Sequence, residues 1–511
     1  MKATAARQFF INNFYSILFA ITGFIFILML AHYGGIGLSP DSITYTSVAQ
    51  SLAKQGRLHQ YDDAPFVDFP AGYPFFLSIV FKIFGSDYVH TGVYLNALLF
   101  AALLFLCGLA MQRFTYTSAL YKMAVLACIA LNPGLLEVYS MLWSETLFIL
   151  LSVLFIMALH TYIQTTGIKN LTVAALIVAV ICIVRYAGIA FIAAGGFVLL
   201  FMKHTSIKQK IIHLLLFGMI AISLLACNLA RNCLAEGFAT GEREKSITPL
   251  LLNIRYFGIV LCDWLSLQSK NTLPVVLFAI VVIALLAAAV IYHLITQKGK
   301  TGFAYLAAVF ALVYILFIII TASISRFEPI DSRFISPAFI FMLWALAYWL
   351  NRMVTATKRR LKAVSIAGNI IIAVLLMAGE ATNSYASYSD IKDYGIPGYT
   401  DDDWQLSPTV QFIKAHANGF KPGVEIYSNA NDAVYFFTQK HAQQLPHKES
   451  PEEIKALFNE SDFYIVWFNF TDDNDDVSLK YILHNRPMKL VRKFNDGAVY
   501  ISDYKTQTSA R

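Results

Sequence analysis

From about residue 14 to residue 380, long apolar runs are separated by short polar breaks; beyond that the runs shorten and turn residues multiply. A helix needs about 20 mostly apolar residues to cross a bilayer. By that measure the runs at 14–33, 91–112, 118–134, 144–163, 170–184, 187–203, 210–230, 273–296, 302–323, 334–352 and 363–380 predict eleven spans. The stretch 170–203 is too long for one span and short for two, and Arg185-Tyr186-Ala187-Gly188 sits at its centre. An arginine in the middle of one long helix would cost roughly 3 kcal/mol or more. Two short helices meeting at that break are therefore expected.

The first polar interval, 33–90, holds two short helices rather than a plain loop. Ser39 fits an N-cap, Pro40 the first helical position, and Asp41 the first turn, where a negative charge meets the positive end of the helix dipole. Ile43, Val48, Ala49 and Leu52 mark one apolar face, with Ser47, Gln50 and Lys54 opposite, so this helix is expected to lie amphipathically in the membrane interface. The turn Phe69-Pro70-Ala71-Gly72-Tyr73-Pro74 leads to a second apolar helix, 75–84, also too short to cross. A further loop is expected at 231–272.

The tail, 381–511, reads as strand 424–428, helices 432–441 and 451–458, strand 463–470, and a hairpin around Asn495-Asp496-Gly497, a favoured two-residue turn. That is a small soluble α/β domain of about 120 residues. The expected division is thus a transmembrane unit, 1–380, and a tail domain, 381–511. No internal repeat is visible.

Composition sharpens this picture. The chain is 57% hydrophobic and 14% charged, against about 25% charged in soluble domains, so lipid must be part of its solvent. The net charge of +7 does not indicate nucleic acid, because the basic residues cluster at the ends of apolar runs. With the N-terminus inside, Lys2, Arg7, Arg113, Lys122, Lys298, Lys300, Arg359 and Arg360 all fall in short cytoplasmic segments, as the positive-inside rule asks. The first run is too long for a signal-peptide core and reads as an uncleaved span. The expected protein is a multi-pass cell (inner) membrane protein with a cytoplasmic N-terminus and all long loops and the tail domain outside. Cys107, Cys128, Cys182 and Cys227 lie in apolar runs as packing residues; Cys233 and Cys262 fall in one polar loop and would pair if it faces an oxidising compartment.

Ionisable groups beside a membrane are costly and often functional. Asp41, Glu145 (in Trp143-Ser144-Glu145), Arg185, Arg231 and the pair Arg326 and Arg333 all fall at the same outer level, from separate segments. Each has a plain reading as an interfacial or helix-start charge, and Glu137 competes with Glu145. Together they offer a base and several cations, which is what chemistry on a lipid phosphate requires.

Asp41-Ser42-Ile43-Thr44-Tyr45 after the first span, the turn Pro70-Ala71-Gly72-Tyr73-Pro74, Ser144-Glu145, Arg185-Tyr186-Ala187-Gly188, Arg231-Asn232 and Ser332-Arg333-Phe334 form a pattern over roughly the first 350 residues. It resembles the GT-C membrane glycosyltransferases, in the branch of protein O-mannosyltransferases and lipid A aminoarabinose transferases (family 39). The resemblance implies a GT-C fold, a polyprenyl-phosphate sugar donor, and inverting transfer at the outer face to an envelope acceptor: a lipid, a glycan or a protein. It places Asp41 as the catalytic acid of the first loop and Glu145 as the second acid. Arg231 and Arg333, then Arg185 and Arg326, would meet the donor phosphate, and Tyr45 and Tyr73 the sugar or acceptor. A divalent metal held partly by Asp41 is possible in this fold, though no ligand set stands out. O-mannosyltransferases carry an Asp-Glu pair where this chain has Asp41-Ser42, and the aminoarabinose branch a lysine where it has Ala71-Gly72. Sugar and acceptor are therefore not carried over. Other classes to weigh are a transporter or flippase of lipid-linked sugars, which would favour midplane sites and repeated halves, and a non-catalytic envelope-assembly subunit.

Overall fold

The computed structural model describes residues 2–502 except 86, 114–117, 204, 242, 268–270, 297–301, 327, 359–360 and 472–474, with side chains from residue 13 onward. Lys298, Lys300, Arg359 and Arg360, and the side chains of Lys2 and Arg7, lie outside the described residues.

Among the described residues, eight helices are long and apolar enough to cross a membrane. They are α1 (Lys2–Ala31), α4 (Tyr88–Met111), α7 (Glu145–Thr165), α10 (Ile207–Glu236), α12 (Thr272–Thr296), α13 (Phe303–Ile324), α14 (Ser332–Ala356) and α15 (Lys362–Tyr394). A ninth candidate is a bent pair, α5 (Ala119–Leu131) and α6 (Pro133–Ser140), which meet at 52°. Asn132 caps α6 and Pro133 opens it, so the chain cannot run straight through. The expected break at Arg185 is present: α8 (Ile168–Val184) stops there, a single 3₁₀ turn spans Tyr186–Gly188, and α9 (Ile189–Leu200) follows. Gly188 is required, because a Cβ there would press on the Cys182 backbone at 2.7 Å. The two short helices α8 and α9 account for the difference from eleven.

The protein is thus a multi-pass membrane protein. α13 and α14 form its centre, while α12 and α15 turn Leu, Ile and Val side chains outward, as helices facing lipid do.

Between α1 and α4 lie α2 (Pro40–Gln55) and α3 (Gly72–Phe84). The cap of α2 is the expected one: Ser39 N–H donates to Ser42 Oγ at 3.1 Å. Its surroundings differ from expectation. Ile43, Val48 and Ala49 are buried, but so are Tyr45, Thr46 and Ser47 on the other faces, because α3 covers one side and the tail another. The interval 231–272 holds a further helix, α11 (Leu250–Trp264), packed against α12 and α13. Cys233 and Cys262 are separate free thiols.

The last apolar helix runs on to Tyr394, beyond the boundary expected at 380. After it come α16 (Asp402–Gln405), α17 (Pro408–Ala415), β1 (Glu425–Ser428), α18 (Asn431–Thr438), β2 (Gln443–Gln444), α19 (Pro451–Asn459), β3 (Phe463–Phe468), α20 (Leu479–Asn485), β4 (Met488–Lys493) and β5 (Gly497–Ser502). The sheet order is β2-β1-β3-β5-β4, with β1 parallel to β2 and β3, and β3-β5-β4 antiparallel. The expected hairpin is β4–β5, closed by Phe494 N–H donating to Gly497 O at 2.8 Å.

A backbone strap joins tail to bundle at the root of α2. Gly37 exchanges hydrogen bonds with Ser140 and Leu142, at 2.9 and 3.0 Å. On its other side, Ile396 N–H donates to Tyr33 O at 3.0 Å and Tyr399 N–H to Leu38 O at 2.8 Å. Gly398 has φ 104° and lies so close to the Leu38 carbonyl that a Cβ would collide with it. Three segments remote in sequence thereby fix the start of α2, the turn before α7, and the edge of the tail domain.

Candidate active site

The strap brings four charged residues together at the end of the bundle that bears the tail domain. Asp41 and Glu145 each occupy the first turn of a helix, where the dipole favours a carboxylate. Arg185 ends α8, where the dipole favours a cation. Arg333 lies in the first turn of α14, where the dipole opposes it, so it needs anions close by. It has two. Arg333 Nε donates to Glu145 Oε1 at 2.5 Å, and Arg333 Nη2 pairs with Asp41 Oδ2. Arg185 Nη1 pairs with Glu145 Oε2 at 2.6 Å and donates to Ser144 Oγ at 2.8 Å. The chain order is Asp41–Arg333–Glu145–Arg185, with alternating sign.

Burial divides these four. The Glu145 side chain is 1% exposed, Arg333 9%, Arg185 17% and Asp41 25%. An unpaired charge at the depth of Glu145 would be very costly, and two guanidinium groups meet both of its oxygens. Asp41 gives one oxygen to Arg333; Oδ1 has no protein partner among the described residues. The indole of Trp143 lies under the Arg333 guanidinium, 4.1 Å from the ring centroid, and donates to Ser39 Oγ at 2.8 Å. Trp143 therefore ties the Arg333 site to the cap of α2, a role its sequence position beside Ser144-Glu145 does not reveal.

Tyr45 and Tyr73 pack edge-to-face beneath the cluster, 5.2 Å between centroids, and are fully enclosed. Tyr45 OH is 3.4 Å from Ser144 Oγ. Burial, and the nearby Asp41 charge, hold its hydroxyl well above the ordinary tyrosine range, so it remains neutral. Glu328 and Asp331, in the loop before α14, lie within the fields of Arg333 and Glu145; burial raises both carboxyls.

Arg231 belongs to a neighbouring group. Its guanidinium holds the Phe66 carbonyl and Asn232 Oδ1, while Asn232 Nδ2 donates to Val67 O at 3.0 Å and to Tyr186 OH at 3.3 Å. Arg243 Nη2 joins through Asp68 O at 2.8 Å. The break after α8 thus sends Arg185 into the carboxylate cluster and Tyr186 into this one. Arg326 joins neither: it pairs with Glu244 and Asp475, linking the α13–α14 loop to the α10–α11 loop and the tail domain.

Among the described residues, no three His, Cys, Asp or Glu side chains come together to hold a metal ion. Among the described residues the side-chain contacts of Asp41 and Glu145 are to arginine and serine, so these carboxylates as placed do not fit a divalent cation.

The tail domain reaches the same region. Tyr61 of the α2–α3 loop stacks on Tyr435, 4.8 Å between centroids, and Asn431 Nδ2 donates to Tyr61 OH at 2.9 Å. Asp432, buried, accepts from Tyr399 OH, and burial raises its carboxyl.

No protein-family model matches the chain, and no curated protein matches it in sequence. Solved structures do. ArnT from Cupriavidus metallidurans bound to undecaprenyl phosphate aligns with TM-score 0.59 at 10% identity, over 95% of this chain and 97% of that one. Its apo structure aligns with TM-score 0.58 at 11% identity, over 99% of each. The arabinofuranosyltransferase AftD from Mycobacteria aligns with TM-score 0.52 at 14% identity, over 95% of this chain and 41% of that one. These neighbours are GT-C glycosyltransferases, and the likeness gives this chain the GT-C membrane fold.

Proposed function

We propose that the protein is an inverting glycosyltransferase that moves a sugar from a polyprenyl-phosphate donor to an envelope acceptor at the extracytoplasmic face of a cell membrane. The observation that carries this reading is the Asp41–Arg333–Glu145–Arg185 chain: a carboxylate with one unengaged oxygen beside two anchored guanidinium groups, on a fold shared with a protein solved with undecaprenyl phosphate.

In the proposed reaction, Asp41 Oδ1 accepts the proton of an acceptor hydroxyl or amine as that group attacks the anomeric carbon. The bond from the anomeric carbon to the phosphate oxygen breaks, and its electron pair leaves with the lipid phosphate. That leaving group is already a stable anion, so no general acid is needed; its growing charge is met by N–H groups. Arg333 Nη1 and Arg185 Nη2 have no partner among the described residues and are the first choices. A phosphate that shares Arg333 weakens its hold on Asp41, which makes Asp41 a better base when the donor is in place. Glu145 is a positioning residue: both of its oxygens are committed to the two arginines. Tyr45 supports Ser144 from beneath. Arg231 shapes the 66–68 turn beside the site. The cytoplasmic N-terminus and external tail domain belong to this proposal.

The test is transfer by the purified chain in lipid nanodiscs, supplied with polyprenyl-phosphate sugars and envelope extracts. Release of polyprenyl phosphate that depends on acceptor and is lost in Asp41→Asn supports the reading. Release that is unchanged in Asp41→Asn overturns the assignment of the base.

A further inference from the structure

One helix of the tail domain, α18, grips the first loop on both sides of α2. Before α2, the Leu38 carbonyl accepts from Tyr399 N–H at 2.8 Å, and the Ile36 carbonyl from Thr400 Oγ1 at 3.1 Å. Tyr399 is pinned in turn. Its carbonyl accepts from Gln405 Nε2 at 2.8 Å, and its ring meets Trp404 edge-to-face, 4.8 Å between centroids. Its hydroxyl donates to Asp432, in the first turn of α18. After α2, Tyr61 stacks on Tyr435 and accepts from Asn431 Nδ2. Asn431, Asp432 and Tyr435 all belong to α18, which also packs on α2 itself. The Arg326–Asp475 pair joins tail to bundle as well, but it reaches the loop before α14 and not α2.

The strap has no slack. A Cβ at Gly37 would collide with Met141 Sδ on one side and Ile396 Cγ2 on the other. Leu38 stands three residues before Asp41, and Pro40 between them has a fixed φ, so a shift of the strap passes into the first turn of α2. The charge of Asp41 acts on both Tyr399 and Asp432. Burying Asp432 without a cation costs stability. What it secures is the direction of one hydroxyl, and through Tyr399 the place of the Leu38 carbonyl. We propose that Tyr399 and Asp432 are positioning residues for the base, and that through α18 the tail domain sets where the Asp41 carboxylate stands. The proposal rests on the glycosyl-transfer reading above for the word base, but the grip on α2 that it describes does not need turnover. Neither residue touches reacting atoms, and the donor's phosphate is met by the arginines, so the effect belongs in kcat rather than in the donor KM.

The test pairs hydrogen exchange with kinetics on the full chain in nanodiscs. Tyr399→Phe removes the hydroxyl and keeps the ring and the backbone bond to Leu38. Amides in the first turns of α2 should exchange about tenfold faster, while those of β3 and of the first turn of α7 stay as in the parent. The kcat should fall about tenfold, less than the roughly 10²-fold that a full ångström of misplacement can cost, with the donor KM within about twofold. Tyr399→Phe/Asp432→Leu leaves no buried group unpaired, so it should fold like the parent and show the same losses. Asp432→Asn still accepts from the hydroxyl and should behave as the parent at neutral pH. In an Asp41→Asn background, Tyr399→Phe should cause no further fall, because no base remains to misplace. The proposal is overturned if α2 exchanges as in the parent, if β3 loosens as much as α2, if kcat is unchanged, or if the same fall recurs without Asp41. A loosened α2 in a chain whose parent transfers no sugar would sink the reaction and leave the grip; full transfer by Tyr399→Phe with α2 as tight as in the parent would sink the grip and leave the reaction.

Discussion

Glu145 and Asp41 give oxygens to the same guanidinium, yet Glu145 is 1% exposed with both oxygens engaged and Asp41 is 25% exposed with one oxygen unengaged. Both open helices, and both face the positive end of a dipole. What separates them is what lies on the other side. Glu145 has a second arginine and the interior of the bundle; Asp41 is a quarter exposed, and its second oxygen meets no described residue. A carboxylate in the first setting is a fixed charge that orders its neighbours. In the second it is free to take a proton. The sharpest test of this comparison is a pair of substitutions with opposite signatures.

The largest effect is expected at Asp41. Asp41→Asn removes the proposed base, for which a loss of about 10²–10⁴ in turnover is typical. Thermal unfolding should change little, since an amide still accepts from Arg333 in a partly exposed position. A large fall in unfolding temperature would place Asp41 with Glu145 as a structural charge. The next effect is the converse. Glu145→Ala leaves Arg185 and Arg333 buried beside one another without their shared anion, and breaking a buried pair in this way costs about 3–5 kcal/mol. Unfolding in detergent should register that loss. An unaltered unfolding profile would mean that water or lipid reaches the arginines, and the contrast with Asp41 would collapse.

The sequence shows this site unevenly. The α2 cap is written locally in Ser39-Pro40-Asp41-Ser42, so helix and acid were legible together. The break after α8 was legible because Arg185 cannot sit inside an apolar helix without cost. The pairing of Arg333 with Glu145, 188 residues away, has no local signature. Periodicity places charged groups at a common level, but it does not say which arginine meets which carboxylate; Arg326 and Arg333 bracket the same loop and reach different partners. α11 was hidden because Asn253, Arg255 and Asp263 break its apolar pattern while its other face packs on α12 and α13. The tail's contact at the root of α2 depends on backbone hydrogen bonds from Ile396 to Tyr33 and from Tyr399 to Leu38, which side-chain patterns do not encode.

Asp432 extends the comparison to a third carboxylate, buried like Glu145 but with a tyrosine donor and, among the described residues, no cation. Burial raises its carboxyl above the ordinary range, against the pull of the Tyr399 hydroxyl. Between the ordinary and the raised value the folded chain keeps a proton that the unfolded chain has lost. The tail domain should therefore lose stability as pH rises through that window. Asp432→Asn cannot ionise and still accepts from Tyr399, so it should flatten the slope. Urea midpoints across the acidic range check this; an equally steep slope in the variant would assign the dependence to another group. Glu145, compensated by two arginines, should produce no such loss on the alkaline side.

The smallest effect is expected at Arg326, and it separates the cations that share a level from those that share a site. Arg326 bridges Glu244 and Asp475 in exposed positions, and hydrogen bonds from this arginine hold the Asp475 carboxyl below the ordinary range. Exposed pairs contribute little and are screened by salt. Arg326→Gln should therefore leave turnover within about twofold of the parent. Its consequence belongs at the junction it spans, where the loop before α11 meets the tail domain. Limited proteolysis of that junction should quicken in the variant at low salt, and the difference should fade at high salt. A fall in turnover comparable to that of Asp41→Asn would return Arg326 to the donor-phosphate role that its place in the sequence suggested, and the division between anchored and peripheral arginines would have to be redrawn around the tail domain.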